Sequence, residues 1–226
     1  MMSIKKIEEL RAEHEALFLK EHLNADERFR LAWLSETLQH YANQAQYVRS
    51  YLGVRFQNRT FETFNESENS QAKKICMDYS KHYKEIERNG LLLVGSYGTG
   101  KTHLAAAIAN DLIDRGIPLM FDTFSGYLER LKGEFGEKDR YCLKNMCETP
   151  VLFIDDIGKE RQSEWSESVL YEIINTRYEA MLPIVITSNV DGRELEKMLG
   201  GATYSRLCEM CRKVNIKGED KRKEKK

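Results

Sequence analysis

Gly95-Ser96-Tyr97-Gly98-Thr99-Gly100-Lys101-Thr102 fits the pattern G-x-x-x-x-G-K-[ST], whose chemistry is that of a polyphosphate cradle. The residue types follow from that task. Gly95, Gly98 and Gly100 let the backbone curl until successive N–H groups face one anion. A helix opening at Lys101 adds the positive end of its dipole. Lys101 is expected to reach the β and γ phosphates of ATP, and the Thr102 hydroxyl to hold Mg2+. Ser96, Tyr97 and Thr99 complete the loop, so all eight residues are expected to bind the nucleotide. A chance Gly-rich turn is the bland alternative. The match, however, directly follows an apolar strand-like run and opens a helix-like one, the setting that the pattern requires.

A second constellation lies downstream. In Val151-Leu152-Phe153-Ile154-Asp155-Asp156, four apolar residues carry two carboxylates to the end of a buried strand. Asp155 is expected to hold Mg2+ through water, and Asp156 to orient or deprotonate the attacking water. Thr187-Ser188-Asn189 ends the next strand. Asn189 is placed either to bond the γ-phosphate or the attacking water, or only to close an Asx turn. Arg206, on a late helix, is either a solvated face residue or a cation that projects to a neighbouring subunit's γ-phosphate. Cys208 and Cys211, with Cys142 and Cys147, have partial zinc spacing, but no histidine accompanies them and buried thiols are the commoner use.

These residues need elements to position them, and the pattern is α/β. Apolar runs at 91–94, 117–121, 151–156, 184–187 and 213–216 read as five strands. Helical spacing fills the intervals: a helix through Ala72, Cys76 and Ile86 that ends at Asn89-Gly90, then 101–115 closed by Gly116, 127–135, 141–147, 164–181, 194–199 and 204–210. Alternation of this kind predicts a parallel sheet with helices on both faces and a ligand beyond the strands' carboxyl ends. Residues 1–52 read as a small helical segment whose second helix starts at Asn24 or Asp26. Residues 53–65 read as linker, 66–218 as the nucleotide-binding domain, and 219–226 as a basic disordered tail.

Bulk properties exclude several classes. The 226 residues suffice for one core without disulfide staples. Their apolar runs are far shorter than the roughly 20 residues of a membrane span. No secretory signal opens the chain, so a soluble, cytoplasmic protein with its five cysteines reduced is expected, without membrane contact. A net charge of −1 supplies no argument for nucleic acid.

Taken in order, the motifs resemble those of the DnaC/DnaI family of replicative helicase loaders, which are AAA+ ATPases. The likeness runs from about Phe61 to Asp220. It rests on the phosphate loop with Thr-His-Leu-Ala-Ala-Ala-Ile-Ala-Asn after Lys101 and on Phe-Ile-Asp-Asp-Ile-Gly at 153–158. It continues in Glu-Ile-Ile-Asn-Thr-Arg-Tyr at 172–178, Ile-Thr-Ser-Asn at 186–189 and Ser-Arg-Leu-Cys-Glu-Met-Cys at 205–211. The resemblance implies an AAA+ P-loop core with a five-stranded parallel sheet flanked by helices and no C-terminal lid domain. It implies ATP and Mg2+ as cofactors, with Lys101 and Thr102 at the nucleotide, Asp155 on the metal and Asp156 as catalytic acid. Asn189 matches the sensor-1 position and Arg206 the arginine finger; Arg222 matches a sensor-2 arginine only weakly. Asp156 stands where many AAA+ enzymes carry Glu, which predicts slow turnover stimulated by partners. The partners implied are a hexameric replicative DNA helicase gripped by the N-terminal segment, single-stranded DNA, and further copies of the chain when ATP is bound. IstB-type transposition helpers, which act with a transposase on duplex DNA, share the core motifs. A small-molecule kinase would need a lid insertion that is not seen, and a module that holds ATP only as a structural ligand would not need both acids.

Overall fold

Five short apolar strands set the architecture. They are β1 (Gly90–Val94), β2 (Leu119–Thr123), β3 (Val151–Ile157), β4 (Ile184–Ser188) and β5 (Cys211–Asn215), all paired in parallel in the order β2-β3-β4-β1-β5. β1 and β4 are buried at every position, as strands covered on both faces must be. The computed structural model describes residues 4–65, 69–83, 89–133, 137–158 and 163–220. Among them are ten helices: α1 (Ile4–Phe18), α2 (Ala25–Tyr51), α3 (Gly53–Gln57), α4 (Ser70–His82), α5 (Lys101–Asp114), α6 (Phe124–Gly133), α7 (Glu137–Glu148), α8 (Glu164–Glu179), α9 (Gly192–Leu199) and α10 (Gly201–Met210). None is long and apolar enough to cross a membrane.

The helices split into two layers. On one face α5 lays Ala105, Ala106, Ala107 and Ala109 against the sheet beside α4, small residues that let the helix sit close. On the other, α6, α7, α8 and α10 bury Leu128, Met146, Ile173, Ile174 and Leu207. Helix α5 ends in a Schellman pair: the Gly116 N–H donates to Ile113 O (2.9 Å) and the Ile117 N–H to Leu112 O (2.9 Å). Because Ile117 is engaged there, β2 starts at Leu119, two residues later than the apolar pattern suggests.

The described part of α4 ends at His82, and the stretch through Ile86 that the pattern extends to Asn89-Gly90 lies outside the described residues. Gly90 opens β1 opposite Cys211, and a Cβ there would lie 2.5 Å from Cys211 Sγ and 2.8 Å from Ile184 O. The glycine is needed for close approach, and the same pairing starts β5 at Cys211, two residues before the apolar run at 213–216.

Segment 53–65 does not behave as a linker. It holds α3, and the Asn110 side chain of α5 donates to the carbonyls of Phe56 (3.0 Å) and Arg59 (2.9 Å). Phe61 and Phe64 enter the core. Upstream, α1 and α2 form a hairpin around the buried Leu10 and Leu34. Asn24 rather than Asp26 starts α2, through a reciprocal cap with Glu27. A two-pronged Glu13–Arg30 pair, 2.7 Å at each prong, locks the hairpin. Arg11 also reaches the last carbonyl of α5, Asp114 O, at 3.3 Å. Arg222 and most of the basic tail lie outside the described residues.

The most demanding interior group is Arg177 of α8, fully buried. Its guanidinium donates to Met146 O (2.9 Å), Cys147 O (3.3 Å), Thr149 O (2.9 Å) and Pro183 O, so it caps α7 and ties β4's approach to it. Burial lowers its pKa to about 10, still charged at neutral pH. Close by, α8 ends at Glu179 in another Schellman pair, Met181 N–H to Tyr178 O and Leu182 N–H to Arg177 O, with Met181 at φ 51 where glycine is usual. Two substitutions should therefore move stability in opposite directions in a urea titration. Arg177→Leu should lose roughly 3 kcal/mol or more by stripping donors from buried carbonyls. Met181→Gly should gain about 0.5–1 kcal/mol by relieving the left-handed methionine.

Candidate nucleotide-binding site

The strand order places β4 between the strand that launches the phosphate loop and the strand that carries the acids. Loop 95–102 leaves β1, Asp155 and Asp156 end β3, and Thr187 to Asn189 lie between them at the end of β4. The two acids are thus not on the neighbouring strand, and side chains from β4 span the gap.

The loop has the form of an anion cradle. Gly98 and Gly100 take φ of 72° and 105°, which lets the chain turn back into α5. No side chain caps the start of α5, so its first N–H groups point into the loop mouth. Lys101 is buried, and its ammonium lies across the loop, donating to Gly95 O (2.8 Å) and Ser96 O (2.7 Å). Thr99 Oγ1 donates to Ser96 O at 2.9 Å and braces the turn, while Tyr97 is exposed at its tip.

Beyond the loop, Thr102 Oγ1 donates to Asp155 Oδ1 and Oδ2 at 3.0 and 3.1 Å. Thr187 Oγ1 donates to Asp155 Oδ1 at 2.6 Å and accepts the Asp156 N–H at 2.8 Å. The Asn189 side-chain amide donates to Asp156 Oδ1. Lys101, Thr102, Asp155, Asp156 and Asn189 are therefore brought to one place. Sequence reasoning missed Thr187 as the pin between them. The available signal was a hydroxyl directly after the apolar Ile184-Val185-Ile186 in a fully buried strand, where its oxygen must find partners. It also missed a β-bulge: Ile154 pairs Ile186, but Ile157 pairs Ser188, which leaves the two acids in the irregular stretch. Asp156 sits there at φ 61, a conformation that Asp tolerates better than most residues.

Burial raises the Asp155 carboxyl above its ordinary range, opposed by the hydrogen bonds from Thr187 and Thr102; Asp156 adds to the rise and Lys101 offsets it. A dication would favour the charged form. The donor set suits Mg2+, which takes one or two protein oxygens and fills its octahedron with water and phosphate. Among the described residues no group of three or more His, Cys, Asp and Glu forms an all-protein metal cage.

Two distant pieces of chain close on the loop. The Phe64 ring would lie 2.8 Å from a Cβ on Gly100 and packs edge-on against His103. The Asp220 carboxylate lies against Gly98. Lys217, just upstream of Asp220, exchanges two backbone hydrogen bonds with the Asn69 side chain, at 2.8 and 2.9 Å.

Arg206 is not part of this cluster. It lies on α10 over the rings of Tyr171 and Tyr178, and among the described residues it touches neither the loop, the acids nor Asn189. Cys208 is exposed on α10, whereas Cys211 is buried in β5 with its thiol pKa pushed up by desolvation, so the pair does not face one site.

Residues 31–226 match the family described as IstB-like ATP binding protein. The chain belongs to that family. Among curated relatives, the phage-like element PBSX protein XkdC of Bacillus subtilis is 32% identical over 169 residues, which are 69% of this chain and 63% of that protein's length. The replicative helicase loader DnaC of Escherichia coli is 27% identical over 169 residues, covering 73% of this chain and 69% of the loader. The crystal structure of the DnaC helicase loader superposes with a TM-score of 0.64 at 30% identity, over 73% of this chain and all of that one. The five-stranded parallel sheet with its flanking helices is the AAA+ fold. An IstB-like ATP-binding protein must cradle a triphosphate, and loop 95–102 has the donors and the turn for it.

Thr187→Val keeps the volume of the pin and removes its hydroxyl. Stability should fall by roughly 1–3 kcal/mol, because Asp155 Oδ1 and the Asp156 N–H lose a buried partner. ATP affinity, measured by calorimetry, should change little, while hydrolysis should fall by about tenfold or more as the acids lose their register.

Proposed function

We propose that this chain is a Mg2+-dependent ATPase of the AAA+ class that delivers a hexameric replicative helicase to single-stranded DNA, working in the cytoplasm during replication initiation. One observation carries the reading: the hydrogen-bonded cluster Thr102–Asp155–Thr187–Asp156–Asn189 beside the phosphate loop, in a chain similar to the loader DnaC. A module that only held ATP would have no use for a second acid fixed by two partners.

The residues divide the work. The loop N–H groups and the α5 N-terminus hold the phosphates, and Lys101 exchanges its contacts with Gly95 O and Ser96 O for the β and γ oxygens. Thr102 directly and Asp155 through water would hold Mg2+, which would supply positive charge beside the phosphates. Asp156 takes a proton from the attacking water once Asn189 releases the carboxylate to it, and Asn189 is then free to bond the γ-phosphate or that water. An Asp side chain is shorter than a Glu by one methylene, so the water is held at the end of a shorter arm and turnover is slow until a partner closes the site. Arg206 supplies positive charge to nucleotide on an adjacent copy, which couples hydrolysis to ATP-dependent self-association. The α1–α2 hairpin grips the helicase; at its tip Phe18, Leu19 and Phe29 are 70, 74 and 78% exposed.

The decisive experiment is fluorescence anisotropy of labelled single-stranded DNA with ATP, with and without a hexameric replicative helicase. The expected result is binding that needs ATP and tightens with the helicase. Binding to duplex DNA alone, indifferent to helicase, would replace this reading with a transposition helper. Lys101→Ala should weaken ATP binding by about 100-fold or more, equivalent to roughly 3 kcal/mol. Asp156→Asn should bind ATP normally and stop turnover; wild-type rates would remove Asp156 from catalysis.

A further inference from the structure

Helix α8 carries Tyr171 and Tyr178 seven residues apart, two helical turns, which places both rings on the side that α10 crosses. Arg206 Cζ lies 5.8 Å from one ring centroid and 5.9 Å from the other, within reach of cation–π attraction to each. Its only hydrogen bond is a long one, from Nη1 to Ala202 O at 3.4 Å, and it makes no ion pair among the described residues. Glu209, one turn further along α10, is the obvious carboxylate to seize it. Instead Glu209 accepts the Tyr178 hydroxyl at 3.0 Å.

This arrangement has a particular consequence. A carboxylate would fix the guanidinium firmly but fill its fork of donors, and that bond would have to break before a phosphate could bind. Ring faces attract the cation while offering no acceptor that competes for its N–H groups. The platform is stiff: α8 starts in a Ser163–Ser166 capping box, ends in a Schellman pair and is anchored by the buried Arg177 beside Tyr178. Tyr171 remains 45% exposed beside the guanidinium.

We propose that Tyr171 and Tyr178 are positioning residues for Arg206, holding its guanidinium between their rings with most of its donors unspent for the γ-phosphate of ATP on an adjacent copy of this chain. This rests on the reading above that Arg206 acts in trans. Tyr178 is additionally oriented by Glu209.

The test uses the full chain with ATP, single-stranded DNA and helicase, and four variants: Arg206→Ala, Tyr171→Leu, the double Tyr171→Leu/Tyr178→Leu and the conservative Tyr171→Phe. The leucine pair should lower kcat by about tenfold with KM and ATP affinity unchanged, and Tyr171→Phe, which keeps the ring and leaves the Tyr178–Glu209 bond intact, should stay within about twofold, since the ring face carries the attraction. Tyr171→Leu alone, at a half-exposed position, should show about a threefold loss and covers the case in which the double variant does not fold. Mixing supplies the readout that a packing role would not move. A Lys101→Ala subunit, which keeps Arg206 but cannot bind ATP, should restore hydrolysis by leucine-pair subunits, and should fail to do so when it carries the leucine pair itself. Wild-type kcat in the leucine variants, a loss in Tyr171→Phe equal to that in Tyr171→Leu, or absence of rescue on mixing would overturn the platform. Undiminished hydrolysis by Arg206→Ala would instead overturn the action in trans on which it rests.

Discussion

Asp155 is a carboxylate held almost out of water at the end of a buried strand, and much of the surrounding structure serves to make that tolerable. An isolated charge in such a place would protonate or unfold its surroundings. Here each oxygen accepts a threonine hydroxyl, from Thr102 at the start of α5 and from Thr187 at the end of β4. Satisfying one anion therefore fixes the distance between the phosphate-loop helix and two strands. It also explains why β4 can lie between the loop and the acids without separating them: the hydroxyl of Thr187 is the bridge. The bulge in β3 and the left-handed Asp156 follow from the need to turn one acid toward Thr102 and the next toward Asn189.

Arg177 shows the opposite solution to the same problem. It too is a buried charge, but among the described residues its two terminal nitrogens donate to four backbone carbonyls and to no carboxylate, so it serves the protein's own backbone. Its fork ends one helix and positions the approach to a strand. Asp155, by contrast, keeps a raised pKa even with its partners in place, and a divalent cation would relieve what the threonines leave. The two residues separate a charge used to build from a charge kept for a ligand.

How much of this could be read from the chain depends on the range of the interactions involved. The phosphate loop, the acid pair and the alternation of strands and helices are local patterns, and the loop and acids lie where their spacing places them. What failed was set by contacts across the fold. The close approach that needs a glycine at position 90 comes from Cys211 and Ile184 on the strands to either side of β1. The polar, Gly-bearing segment 53–65 looks like a linker, yet Asn110, half the sheet away in sequence, holds its carbonyls. Residues 117 and 118 look like strand until the α5 stop uses Ile117. The role of Thr187 was hidden because a threonine in a strand is ordinary; only the parallel neighbours on either side make its hydroxyl indispensable.

The phosphate loop has one more property, which follows from its two unlikely neighbours. Phe64, at the end of the chain's path from the α1–α2 hairpin, leans on Gly100, while Asp220, tethered through Lys217 to Asn69, leans on Gly98. The loop is thus gripped like a hinge pin between the first and last parts of the chain. A ligand that reshapes it must displace or reseat Phe64 and Asp220. Thermodynamic linkage makes that traffic two-way: a partner on the hairpin side or the C-terminal side that changes the loop's affinity for ATP is itself bound more or less tightly by the same factor when ATP is present. The molecule can in this way be tuned from either end by a partner that never touches the nucleotide.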